Sequence, residues 1–292
     1  MRALKSGLLG VVAAFVASAA SAATIYLDAG SMEKSRQVTI QGLGNVLAPP
    51  VQFQATKNGQ EFNFIGWCVD VYHHISLKDY APDLEYVDTN ALTTDFGGAP
   101  LDAGDVRKVG LLANYGQLLF DDRPTAPGAF TQVKPVRSSY PTGSAGTAAY
   151  NAALAAYNAA KAAHTAATNA YNAAVSTRFT RLSAVQGAIW QVVSNRNVTS
   201  VNGDAAFDLL VDQLSSDNLT DYLTGVGHVR QGFQLITPVQ QFGGRNGRTP
   251  LPLTQSFVIA VPEPTTWVMM ILGFGMAGAA IRGRRRHAPA TL

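Results

Sequence analysis

The sequence predicts an α+β fold: an antiparallel β sandwich or barrel-like domain with an inserted helical block, followed by a C-terminal transmembrane helix. Three observations carry this. Runs rich in β-branched and aromatic residues gather in the first third of the chain and return just before the tail. Amphipathic and alanine-rich segments fill the stretch between them. Strands, then a block of helices, then strands is an α+β order. Finally, both ends differ from the body in ways that read as targeting segments and not as fold.

The N-terminal end reads as a secretory signal peptide over 1–22. Arg2 and Lys5 give a positive start, Leu8 to Val16 a short apolar core, and Ala20-Ser21-Ala22 the small residues of a cleavage site. The core is short for a membrane helix. A mature chain starting near Ala23 leaves a body of residues 24–260, enough for one large domain or two small ones.

Within the body, VTIQGL, the run from Pro50 to His73 and LEYV predict strands, with a hairpin turn at Asn58-Gly59. Val106, Val109 and Leu112 mark an amphipathic helix opened by Asp102 or Asp105. Asp121 to Gly146, rich in Pro, Gly and Ser, reads as a loop. Tyr150, Tyr157, His164 and Tyr171 then recur every seven residues on an alanine background. They predict one helix over about 147–176, roughly 40 Å long at 1.5 Å per residue, with its rings in a single stripe. FTRLSAVQGAIWQVVSN and DAAFDLLVDQLSSDNLTDYL predict a second and a third helix of this block, and QGFQLITPVQ and LTQSFVIAV the closing strands.

The tail carries a more specific pattern than its hydropathy. Thr265–Ile281 is apolar, at the short limit for a membrane helix. Arg282, Arg284, Arg285 and Arg286 follow, a positive cluster that stays cytoplasmic. Before the apolar stretch stand Pro262-Glu263-Pro264, and within that stretch Trp267, Met269-Met270 and Gly273-Phe274-Gly275. Residues 261–286 resemble a PEP-CTERM sorting signal. The resemblance implies an exosortase, a membrane transpeptidase, as partner. The chain would be held briefly in the inner membrane, cut near Pro-Glu-Pro, and passed to the cell surface or extracellular matrix.

Removing both ends changes the charge. Two of the 22 basic residues lie in the leader and four in the tail, and one of the 19 acidic residues, Glu263, lies in the tail. The body is therefore near −2 and mixed, with no basic patch for nucleic acid. It shows no Cys/His cluster for a metal, no phosphate-binding glycine loop and no nucleophile elbow, so no cofactor is expected.

An exported chain with a single cysteine cannot close a disulfide within itself. Alternation along the strand puts Phe62, Phe64, Gly66 and Cys68 on one face and Ile65, Trp67, Val69 and Val71 on the other. Both faces are largely apolar, so the strand is expected to be central and buried. On the predicted second helix, Leu182, Val185, Ile189 and Val193 form an apolar stripe. Gln186 sits one position from the stripe and Trp190 one turn further on. A glutamine facing the core must pair its amide or cost about 1–3 kcal/mol. Its side chain is also an acyl donor: a nearby thiol attacking the amide carbon expels ammonia and leaves a Cys–Gln thioester. Trp67, Tyr72 and Trp190 would keep water from the acyl carbon, and Asp70, on the face of Cys68, would orient an amine or its own backbone.

Trp67-Cys68-Val69-Asp70, with Val185-Gln186-Gly187-Ala188-Ile189-Trp190, resembles the bacterial thioester domain of surface adhesins. The likeness covers roughly 37–260 and includes the helix KVGLLANYG between the motifs. It implies that Cys68 and Gln186 are the crosslinked pair and that Trp190 is the motif's tryptophan. It also implies a single-use acylation of an amine on a partner surface, without catalytic turnover. Two other readings compete. One is a structural biofilm or matrix protein with an inert buried cysteine. The other is a Cys–His hydrolase using His73 or His74, but His74 stands six residues along the strand, roughly 20 Å from the thiol at 3.3 Å per residue.

Overall fold

A computed structural model of the chain describes residues 24–57, 59–71, 84–88, 101–225, 232–238, 242–243, 249–250 and 256–260. The leader, Tyr72, His73, His74 and the tail from Val261, with its expected span 265–281, lie outside the described residues. Among the described residues no helix is long and apolar enough to cross a membrane.

The strands are β1 (Thr24–Met32), β2 (Gln37–Ile40), β3 (Gly44–Leu47), β4 (Val51–Lys57), β5 (Gln60–Cys68), β6 (Leu84–Asp88), β7 (Val198–Ser200), β8 (Phe233–Pro238), β9 (Phe242–Gly243), β10 (Thr249–Pro250) and β11 (Phe257–Ala260). The helices are α1 (Ala103–Asp121), α2 (Ser144–Ser194), α3 (Ala205–Ser215) and α4 (Leu219–Gly225). Strands β1, β4, β5, β11, β8 and β6 pair antiparallel in that order, and β6 pairs back onto β1. A second sheet runs β3–β2–β7, and β9 pairs with β10. The fold is mixed, with antiparallel sheets and helices, and the helical block stands between β6 and β8 as expected.

The β4–β5 hairpin closes between Lys57 and Gln60, with Gly59 at φ 76°, a conformation that favours glycine. The buried segment 65–70 of β5 and its continuation lies in the core, apolar on both faces except for Asp70. Helix α1 opens at Asp102, whose carboxylate accepts the Asp105 N–H at 2.8 Å.

Two predicted helix boundaries are corrected. The helices expected at 147–176 and from Phe179 onward are one 51-residue helix, α2, about 76 Å long at 1.5 Å per residue. Ser176-Thr177-Arg178 joins them without a glycine or proline to break the helix. The last predicted helix is instead two, α3 and α4, because the chain leaves helical geometry at Ser216, the extended C-cap of α3.

The heptad stripe of α2 packs on the chain's own preceding segment. Phe130 lies 5.7 Å from the Tyr157 ring and 5.4 Å from that of His164, and Tyr140 lies 5.6 Å from Tyr150. The His164 Nε2 is 2.8 Å from the Gly128 carbonyl. Residues 128–140 thus form a strap along the stripe.

Candidate functional site

The site begins with a gap in a strand ladder. Strand β5 outruns β4: Val51, the first residue of β4, pairs with Gly66. Continued by two residues, the register sets Pro49 opposite Cys68, and neither Pro49 nor Pro50 has an N–H to give. On the other side, Val69 N–H donates to the Ser256 carbonyl next to β11. Alternation therefore turns the N–H and C=O of Cys68 toward the side where β4 has ended.

Gln186 fills that gap. The Cys68 N–H donates to its Oε1 at 2.9 Å, and its Nε2 donates to the Cys68 carbonyl at 2.7 Å. One side chain from α2 thus does the pairing of a missing strand residue. Gln186 is fully buried and Cys68 is 5 % exposed. The stripe Leu182, Val185, Ile189 and Val193 is buried as expected, and it fixes the helix face that delivers Gln186. Residues 118 apart in sequence are held with the carboxamide against the Cys68 peptide.

The thiol's environment opposes ionisation. Burial pushes its pKa up, and the carboxylate of Asp70, itself buried, pushes it further; the hydrogen bond at the Cys68 backbone acts in the other direction. The sulfur therefore keeps its proton at neutral pH. At the same time the Cys68 N–H on Gln186 Oε1 polarises the amide carbonyl, the role of an oxyanion-hole donor.

A cleft of about 300 Å³ reaches Cys68, while Gln186 lies behind it, outside the lining. Cys68 and Trp190 line it together with Met32, Leu47, Pro49 and Val71. Met32 and Leu47 are 47 % and 55 % exposed, so its mouth meets solvent on an apolar rim. Trp190 is buried and lines the cleft with Cys68. Trp67 is not part of the cleft: its ring packs on α1, where a Cβ at Gly116 would lie 2.2 Å from it. Only a glycine admits the indole there. Among the described residues, the buried indole N–H groups of Trp67 and Trp190 find no hydrogen-bond partner. Among the described residues no cluster of His, Cys, Asp and Glu suits a metal ion. Sequence reasoning missed Met32, Leu47 and Pro49. The Pro49-Pro50 pair was the one available signal, a stop placed before a strand.

Comparison with known proteins adds the address. Residues 260–286 match the PEP-CTERM protein-sorting motif. The motif covers the predicted Pro262, Glu263, Pro264, Trp267, Arg284, Arg285 and Arg286. It implies processing by exosortase, a membrane enzyme. With that come export, transient membrane anchoring and a cell-surface or extracellular location. No curated protein and no solved structure matches the chain.

Proposed function

We propose that the exported domain carries an internal thioester between Cys68 and Gln186 and uses it once, to capture an amine-bearing partner at the surface or in the matrix. The observation that carries this is the pair of hydrogen bonds holding the Gln186 carboxamide on Cys68. In forming the thioester, the Cys68 sulfur bonds to the Gln186 side-chain carbon and the C–N bond breaks. The thiol proton leaves with the amide nitrogen as ammonia. In capture, a neutral amine bonds to the same carbon, the C–S bond breaks, and an amine proton returns to sulfur. The protein is the electrophile, and the reaction is acyl transfer without turnover.

A second reading is a structural matrix protein in which Cys68 is a packing residue. It is favoured by the raised thiol pKa and by the fact that the Gln186 amide is already paired on both its atoms. Intact mass separates the two. Protein purified without amines weighs one ammonia less than its mature sequence if the thioester forms. Methylamine then adds at Gln186 and frees the thiol, and Cys68→Ala abolishes both changes. Full sequence mass with a thiol that titrates on unfolding assigns the protein to the second reading. The same spectra test processing: with active sorting machinery, surface protein lacks residues 267–286, and an intact tail throughout the surface fraction overturns that step.

A further inference from the structure

We propose that the outer edge of β3 receives an extended, lysine-bearing segment of a partner protein as an added strand, and so feeds the lysine into the Cys68 cleft. The proposal rests on the thioester reading for its chemistry, but its geometry is independent of it.

In the sheet β3–β2–β7, β3 pairs with β2 alone. Among the described residues, one row of its backbone N–H and C=O groups therefore faces no strand. Exposed edges are usually blunted by proline, charge or a bulge. The edge Gly44-Asn45-Val46-Leu47 has no proline and no charged side chain, and its register with β2 runs without a shift. It also leaves Leu47 more than half exposed.

The edge is continuous with the cleft: Asn45, Val46 and Leu47 form part of the wall of the cleft that Cys68 and Trp190 also line. A strand added at the usual spacing of about 4.8 Å runs along this wall, with every second side chain on the cleft side. No lining residue is charged. Such a channel suits the methylene stem of lysine, and attack requires its amine in the neutral form. Main-chain pairing supplies the affinity and the cleft selects the side chain, so the occupant is defined as an extended backbone carrying lysine.

The test uses two synthetic peptides of alternating β-branched and polar residues around one lysine. They are identical except that one has its strand-pairing backbone nitrogens methylated. With released, sorted protein, the unmethylated peptide is expected to form conjugate at least tenfold faster than its methylated twin, read by intact mass. Equal rates overturn strand addition while leaving the thioester standing. Failure of methylamine to react at all overturns the thioester reading instead. In that case Cys68→Ala protein, which holds no thioester, decides the strand. There the unmethylated peptide alone is expected to slow hydrogen exchange at Gly44–Leu47, and no slowing overturns the proposal. Slowing that instead rises with protein concentration, without peptide, assigns the edge to a second copy of the chain and also overturns it.

Discussion

The two halves of α2 are one helix held by different forces. From Leu182 to Val193 the helix is a core element: Leu182, Val185, Gln186, Ala188 and Ile189 are fully buried. From Ser144 to about Thr177 its residues are exposed or half-buried, apart from Gly146. Arg178 marks the boundary, donating to the Leu119 and Phe120 carbonyls at 3.0 and 2.6 Å and so tying α2 to the end of α1. Beyond it, the first half has alanine's helix propensity and a strap along one stripe. The comparison separates two routes to the same backbone, tertiary burial and intrinsic preference. Only the first brings Gln186 to Cys68.

The largest expected effect lies in the buried half. Gln186→Ala in the Cys68→Ala background, where no thioester complicates the result, removes the side chain that pairs the buried N–H and C=O of residue 68. Two such groups are expected to cost about 2–6 kcal/mol together, read by chemical denaturation. A loss below about 1 kcal/mol would mean that water or a shifted β4 pairs them, and that Gln186 is not a stand-in for a strand.

Much of this was legible in the sequence, but in parts of different kinds. The turn between Lys57 and Gln60, the Asp102 cap and the stripe around Gln186 are local patterns, and each appears where its chemistry places it. The strands β1, β3 and β7 were missed: β1 begins beside the expected cleavage site, and β3 and β7 have four and three residues, too few for a period to show. Trp67 stands in the Cys68 motif as a shielding aromatic, yet alternation already sets it on the opposite face, and its ring packs at Gly116. Pro49 matters only through the register that sets it opposite Cys68, a fact about two strands at once. The cleft is likewise a product of β1, β3, β5 and α2 meeting. Position along the chain carries no trace of such meetings.

A middle-sized effect concerns the thiol in the buried site. The folded-state pKa of Cys68 is raised, by burial first and then by Asp70. Below the ordinary thiol pKa of about 8.5, both folded and unfolded chains hold the proton and this group adds no pH dependence. Above it the unfolded chain loses its proton while the folded one keeps it. Stability relative to Cys68→Ala is therefore expected to fall by about 1.4 kcal/mol per pH unit as pH rises. An intact thioester has no thiol to titrate, so its slope matches that of Cys68→Ala. Urea titrations between pH 8 and 10 thus report the chemical state of the site as well as its burial. A flat profile in protein of full sequence mass would contradict the burial of the thiol.

The smallest effect belongs to the arm, and it tests whether the first half of α2 stands on propensity. Ala156 is exposed, lies in mid-helix and is none of the residues in contact with the strap. Glycine there adds backbone freedom to the unfolded arm and removes a good helix former, at about 1 kcal/mol. If the arm opens separately from the core, that cost falls on local opening alone. Amides from about 150 to 165 should exchange roughly fivefold faster in Ala156→Gly, since 1.4 kcal/mol corresponds to a factor of ten. The midpoint of global denaturation should stay within the ordinary range for surface changes, about 0.5 kcal/mol. Tyr157→Ala should speed the same amides and also those of the strap, because Phe130 loses a ring partner. A fall in global stability from Ala156→Gly as large as the local one would show that the two halves unfold together. The boundary at Arg178 would then be one of burial only and not of cooperativity.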